Sequence, residues 1–117
     1  MIAFSLHWKL ENNTAIRFSL IVAKFHVRDT WELTTDRQLF VMAGTIVEGT
    51  IQKGMFVRIR LNDQVEYMVR IYSIEFARRE GREDVCLCIA EGPEISGFLS
   101  SLNIKDENLE VTREGED

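Results

Sequence analysis

FVMAGTIVEGTIQKGMFVRI, residues 40–59, sets three glycines five apart: Gly44, Gly49 and Gly54. Ile46 and Ile51 stand two residues after the first two glycines, and Val57 and Ile59 follow the third. Apolar residues at this spacing, punctuated by glycine, predict two short strands that meet at sharp corners. Glycine suits such corners because it accepts positive φ and lets a second backbone come close. A small, strongly bent sheet needs corners of that kind.

Downstream of this stretch the chain predicts a hairpin. Val57, Ile59 and Leu61 face Val65, Tyr67 and Val69 when Asn62, Asp63 and Gln64 form the loop, whereas a two-residue loop would set apolar against charged residues. The other row then holds Phe56, Arg58 and Arg60 opposite Arg70, Met68 and Glu66, with Arg60 facing Glu66 and Arg70 facing the Phe56 ring. Upstream, Ile2, Phe4, Leu6, Trp8 and Leu10 alternate with polar or small residues, and Ile16, Phe18, Leu20 and Val22 alternate again after a turn. Pairing Leu10 with Ile16 also sets Trp8 against Phe18 and Leu6 against Leu20. The apolar phase changes between Ile21 and Phe25, which predicts a bulge. Residues 28–38 are polar except for Trp31 and Leu33 and read as a long connection. Pro93 lies in a turn, and no helix is expected.

At 117 residues, 45% apolar and 28% charged, the chain has material for one globular domain and too little for two. Its net charge of -5 is uneven, because residues 91–117 carry eight acids and two bases and leave the rest at +1. No segment forms the basic stripe that phosphate binding usually needs. Cys86 and Cys88, two apart on a strand, are too close in sequence for an unstrained disulfide and make only half a metal site, so they read as reduced packed thiols suited to the cytoplasm. The first ten residues lack the features of a secretory leader, and no segment is long enough to span a bilayer.

The pattern G-x-I-x-x-G-x-I-x-x-G-x-x-V-x-I resembles, without a gap, the start of the β-barrel second domain of translational GTPases of the elongation factor Tu type. Ile71, Tyr72, Ser73, Ile74, Glu75 and Phe76 are similar to the family's next strand. Gly81 with Asp84, Val85, Leu87 and Ile89 is similar to the one after, and Glu94, Ile95, Gly97 and Leu99 to its closing segment at shorter spacing. The resemblance covers about residues 38–99. It implies an all-β fold: a small closed antiparallel β-barrel over residues 1–111, with an added N-terminal hairpin and first long strand in 2–27 and an acidic tail in 112–117. Its expected core is Val57, Ile59, Leu61, Tyr67, Val69, Ile71, Ile74, Val85, Leu87 and Ile89.

No GxxxxGK[ST] phosphate loop, GxSxG elbow or HExxH motif is present, so the GTPase half of the family is missing and nucleotide binding is not expected. Glu75 is a single carboxylate without a partner, which makes no catalytic case. The expectation is a non-enzyme without metal or cofactor. In the family this domain docks on its GTPase domain, on ribosomal RNA and on the acceptor end of aminoacyl-tRNA. The resemblance therefore implies a recognition barrel for RNA or a ribonucleoprotein whose surface involves Arg58 and Arg60 and the segment from Glu75 to Arg82 with Arg78, Arg79 and Arg82. The hairpin register adds Arg70 to that face, and Trp31 in the long connection reads as a partner's anchor or, more commonly, as a ring tucked over the barrel mouth. Gly44, Gly49 and Gly54 would be its structural glycines. The interleaved Glu80, Glu83 and Asp84 argue for a self-neutralising loop instead. The alternative reading is a protein-interaction or structural module, including a homodimer, because a small sheet has strand edges to satisfy.

Overall fold

The computed structural model describes residues 5–11 and 15–113, with side chains from Leu20 onward. The expected strand start at Ile2 and Phe4, the turn at Asn12, Asn13 and Thr14, and the acidic end beyond Arg113 lie outside the described residues. The chain folds as an all-β sheet with one short helix. In chain order the elements are β1 (Ser5–Glu11), β2 (Ala15–Thr34), β3 (Gln38–Gly49), β4 (Phe56–Arg60), β5 (Glu66–Arg70), β6 (Ser73–Arg79), β7 (Arg82–Ile89), α1 (Pro93–Ser101) and β8 (Asn108–Thr112). All pairings are antiparallel. The strand path runs β5-β4-β8-β2-β3-β7-β6, with β1 on β2.

Two registers follow from hydrophobic matching alone. β1 and β2 pair Leu6 with Leu20, Trp8 with Phe18 and Leu10 with Ile16. β4 and β5 pair Val57 with Val69, Ile59 with Tyr67 and Arg60 with Glu66. The phase change between Ile21 and Phe25 is a real irregularity, with register shifts at 21/23 against β8 and at 24/25 against β3. Such bulges let one twenty-residue strand bend and serve two stretches of the sheet.

The ladder is open at β5 and β6, so the closed barrel expected from the sequence is not present as a closed ring of pairings. The two residues between β5 and β6, Ile71 and Tyr72, bond to different flanks of the sheet instead of closing a hairpin, so the two strands diverge. At the bend, the Ile71 N–H donates to the Met55 carbonyl and the Tyr72 N–H to the Cys88 carbonyl, each at 2.8 Å. The covalent chain thus crosses from the β4 flank to the β7 flank.

Residues 28–38 correct another expectation. They are strand rather than connection, because Thr30 pairs with Met42, Trp31 with Val41 and Glu32 with Phe40. Only residues 35–37 are left for the turn. Ladder bonds and the apolar partners on β3 outweigh the polar composition of β2. No helix is expected from the sequence, yet residues 93–101, which carry the turn at Pro93 and the likeness to the family's closing segment, are helical. Pro93 needs no N–H in the first turn, Glu94 faces the positive end of the dipole, and Ile95, Leu99 and Leu102 recur at helical spacing against the core.

Phe25, Phe40, Met42, Val57, Ile59, Val69, Ile71, Leu87, Ile89 and Leu99 are all buried in one cluster, against which Tyr67, Ile74 and Val85 pack half-buried. Leu61 and Val65 are exposed at the hairpin tip, beyond the reach of the core, which corrects their inward placement. Thr112 is buried as the last residue of β8 and so belongs to the sheet rather than to the tail.

Candidate functional site

Strand alternation puts Lys24, His26 and Arg28 of β2 between the buried Ala23, Phe25 and Val27. These three side chains run along the polar face of β2. Beside them β4 supplies Arg58 and Arg60, β8 supplies Asn108 and Glu110, and the approach to β8 supplies Lys105 and Asp106. A cleft of about 340 Å³ between β4, β8 and β2 is lined by Lys24, Arg58, Arg60, Glu66, Asn108 and Glu110. A second, of about 190 Å³, is lined by Arg28, Asp29, Arg79, Arg82, Lys105 and Asp106. Between the two clefts, His26 Nδ1 is hydrogen-bonded to Asn108 Oδ1 at 2.8 Å and Nε2 lies 3.9 Å from Asp106.

The arginines read from the sequence divide between these places. Arg58 is 6% exposed, far more buried than its outer-row position suggested. Its Nε and Nη2 donate to Glu66, its Nη1 lies 3.9 Å from Glu110 Oε1, and that Nη1 makes no hydrogen bond. Arg60 shares Glu66 at 3.7 Å. Arg70 lies over the Phe56 ring at 5.1 Å, as the hairpin register predicts. On the other flank, Arg79 donates to Asp29 at 3.0 Å and covers the Trp31 ring at 4.7 Å. Arg82 is within 3.7 Å of both Glu80 and the buried Asp84, while Arg28 donates to Asp84 at 3.1 Å and to Thr45 Oγ1 at 2.8 Å. Arg78 is exposed at the end of β6. Trp31 is half-buried beneath Arg79, where it closes a small apolar cluster of Val41, Ala43, Cys86 and Cys88.

The Arg79 guanidinium holds the Asp29 carboxyl below the ordinary carboxylate range, and Asp29 in turn raises Arg79. Mutual stabilisation of this kind is the opposite of a group poised to trade protons near neutral pH. Arg28 stands in the stretch that reads as a connection, while Lys24 and His26 stand beside the bulge near Phe25, where the change of apolar phase hides which face they share. The polar 24, 26, 28 spacing against Phe25 and Val27 was the available signal.

Burial pushes the Cys86 and Cys88 thiols up, and among the described residues both are unpaired. In the unfolded chain they ionise from about pH 8.5. The folded chain keeps them protonated there, so stability should fall as pH rises above that point. A denaturant series at pH 7 and pH 10 should show this loss, and a variant with both cysteines replaced by alanine should lose less. An unchanged difference would assign the alkaline sensitivity to other groups.

The structural glycines take three different roles. Gly49 and Gly54 have positive φ, at 76° and 91°. Gly44 is extended and lies where an added Cβ would overlap the His26 carbonyl oxygen. Among the described residues no helix is long and apolar enough to cross a membrane, and no group of three or more His, Cys, Asp or Glu is arranged to hold a metal. Comparison with protein-family models, with curated proteins and with solved structures finds no match to this chain.

Proposed function

We propose that this chain is a non-catalytic protein-interaction module, built on a bent sheet of the translation-factor domain 2 kind, whose docking edge is β6. The observation that carries the proposal is Phe76, 66% exposed in the middle of an edge strand that among the described residues pairs only with β7. An aromatic ring on an unpaired edge offers both backbone hydrogen bonds and apolar area to another polypeptide. Tyr72, 46% exposed at the head of the same strand, extends that surface. The bend at Ile71 and Tyr72 supports the barrel-like description, since it carries the chain between the two flanks of the sheet. The buried free thiols support a reducing, cytoplasmic setting.

The carboxylates on Arg58, Arg60, Arg79 and Arg82 favour a protein partner over RNA, because phosphate would have to displace them. The test is the size of the native assembly in cell extract, with and without nuclease. The expected result is a nuclease-resistant particle larger than the 13.6 kDa chain that Phe76→Asp reduces to monomer size. A particle that collapses on nuclease treatment replaces this reading with the RNA one. In that case, replacing Arg70 and Arg78 should flatten the salt dependence by about one unit of slope per lost phosphate contact.

A further inference from the structure

Resting on the reading of β6 as a docking edge, we infer that its partner is a second copy of this chain, paired antiparallel edge to edge about a two-fold axis through Ala77. Natural sheets protect their edges with bulges, prolines, short strands, charged side chains or covering groups, and of these the sequence of β6 supplies only the charges of Glu75, Arg78 and Arg79, which self-pairing can neutralise. β6 has seven residues, pairs with β7 without a register shift, and contains no proline. The opposite edge is treated differently. β5 is five residues long, and Glu91 Oε2 accepts the Arg70 N–H at 3.3 Å.

Self-pairing has few registers, because opposite residues in an antiparallel pair share a face and the axis must therefore pass through a residue. An axis at Glu75 sets two carboxylates against each other. An axis at Phe76 brings the two Phe76 rings together but leaves Glu75 opposite Ala77 and Arg79 opposite Ser73, so no charge is paired. An axis at Ala77 sets Glu75 against Arg79 of the second copy and Phe76 against its Arg78, and the symmetry makes each contact twice. That register matches charge with charge on one face and cation with ring on the other. Arg79 can take part without leaving Asp29, since Asp29 engages its Nη2 and a guanidinium carries five donors. Seven residues per copy bury far less than the roughly 1,600 Å² of a standard interface, so the dimer should be reversible and concentration-dependent.

Sedimentation of the purified full chain over a wide concentration range tests this. The expected result is a monomer–dimer equilibrium that Glu75→Lys, which sets like charges opposite each other, weakens roughly tenfold. Ala77→Cys should give a reductant-sensitive covalent dimer under mild oxidation, because the two α carbons at the axis would lie about 4.5–5.5 Å apart. Asp63→Cys at the hairpin tip should not. A dimer indifferent to Glu75→Lys and not cross-linked at position 77 overturns the inference. So does a purified chain that stays monomeric. If that monomer still runs in cell extract as a large, Phe76-dependent particle, the docking edge stands with a different protein on it. If the extract also shows only monomer, both readings fall.

Discussion

Gly44→Ala should cost about 3 kcal/mol or more, a large part of the roughly 5–15 kcal/mol that holds a domain of this size together. The added Cβ would overlap the His26 carbonyl oxygen and stand 3.1 Å from the Arg28 nitrogen. Both are backbone atoms of β2, paired with β3 at Val27 and Gly44, so neither can rotate away as a side chain would. Relief requires the two strands to part where Phe25, Val27 and Met42 build the core. Gly49→Ala should be comparable, since it meets the Val22 carbonyl and also has φ 76°. Gly54→Ala should be milder, about 1 kcal/mol, because φ is 91° there but nothing lies within 4 Å. Urea unfolding of the three variants checks the ranking. A loss at Gly44, which is extended, no larger than that at Gly54 would mean that close approach of β2 does not set the cost.

Arg58→Met should destabilise by about 3 kcal/mol, the scale expected when one partner of a buried charge pair is removed. Arg58 is 6% exposed, and its loss leaves Glu66 and Glu110 in a half-buried site without the cation between them. The loss should be less than additive with Glu66→Gln, with a coupling of about 1–3 kcal/mol in a double-mutant cycle, because Arg58 Nε and Nη2 both meet the same carboxylate. Additive effects would show that Arg58 stabilises the sheet through the packing of its stem instead. Arg60→Met offers the control. Its side chain is 60% exposed and 3.7 Å from Glu66, so the change should stay within about 1 kcal/mol.

Much of the sheet was legible because period-two alternation is a local signal. Trp8 with Phe18, Leu10 with Ile16 and Ile59 with Tyr67 each follow from two short stretches and a turn of known length. The helix at 93–101 was partly legible, since Pro93 and the Ile95, Leu99, Leu102 spacing are present, but nine residues give a weak helical signal beside a turn at Pro93. The arginines were legible as residues and not as a site. The hairpin register revealed Glu66 opposite Arg60 and the loop spacing set Glu80 and Asp84 beside Arg82, but Asp29 meets Arg79 from β2, fifty residues away, and no spacing along the chain reveals that meeting.

By itself the sequence determined the all-β class, the two hairpin registers, the bulge near Phe25 and the need for glycine at positions 44, 49 and 54. Each rests on alternation, turn length or backbone freedom, which a few neighbouring residues set. Only the tertiary structure decided that residues 28–38 continue a strand, that Arg58 is buried between carboxylates, and that β6 ends the ladder with Phe76 uncovered. Those outcomes depend on which strands lie side by side. Pairing between distant segments is chosen by the burial of the whole core, which brings Phe25, Phe40, Val57, Leu87 and Leu99 together from five different elements.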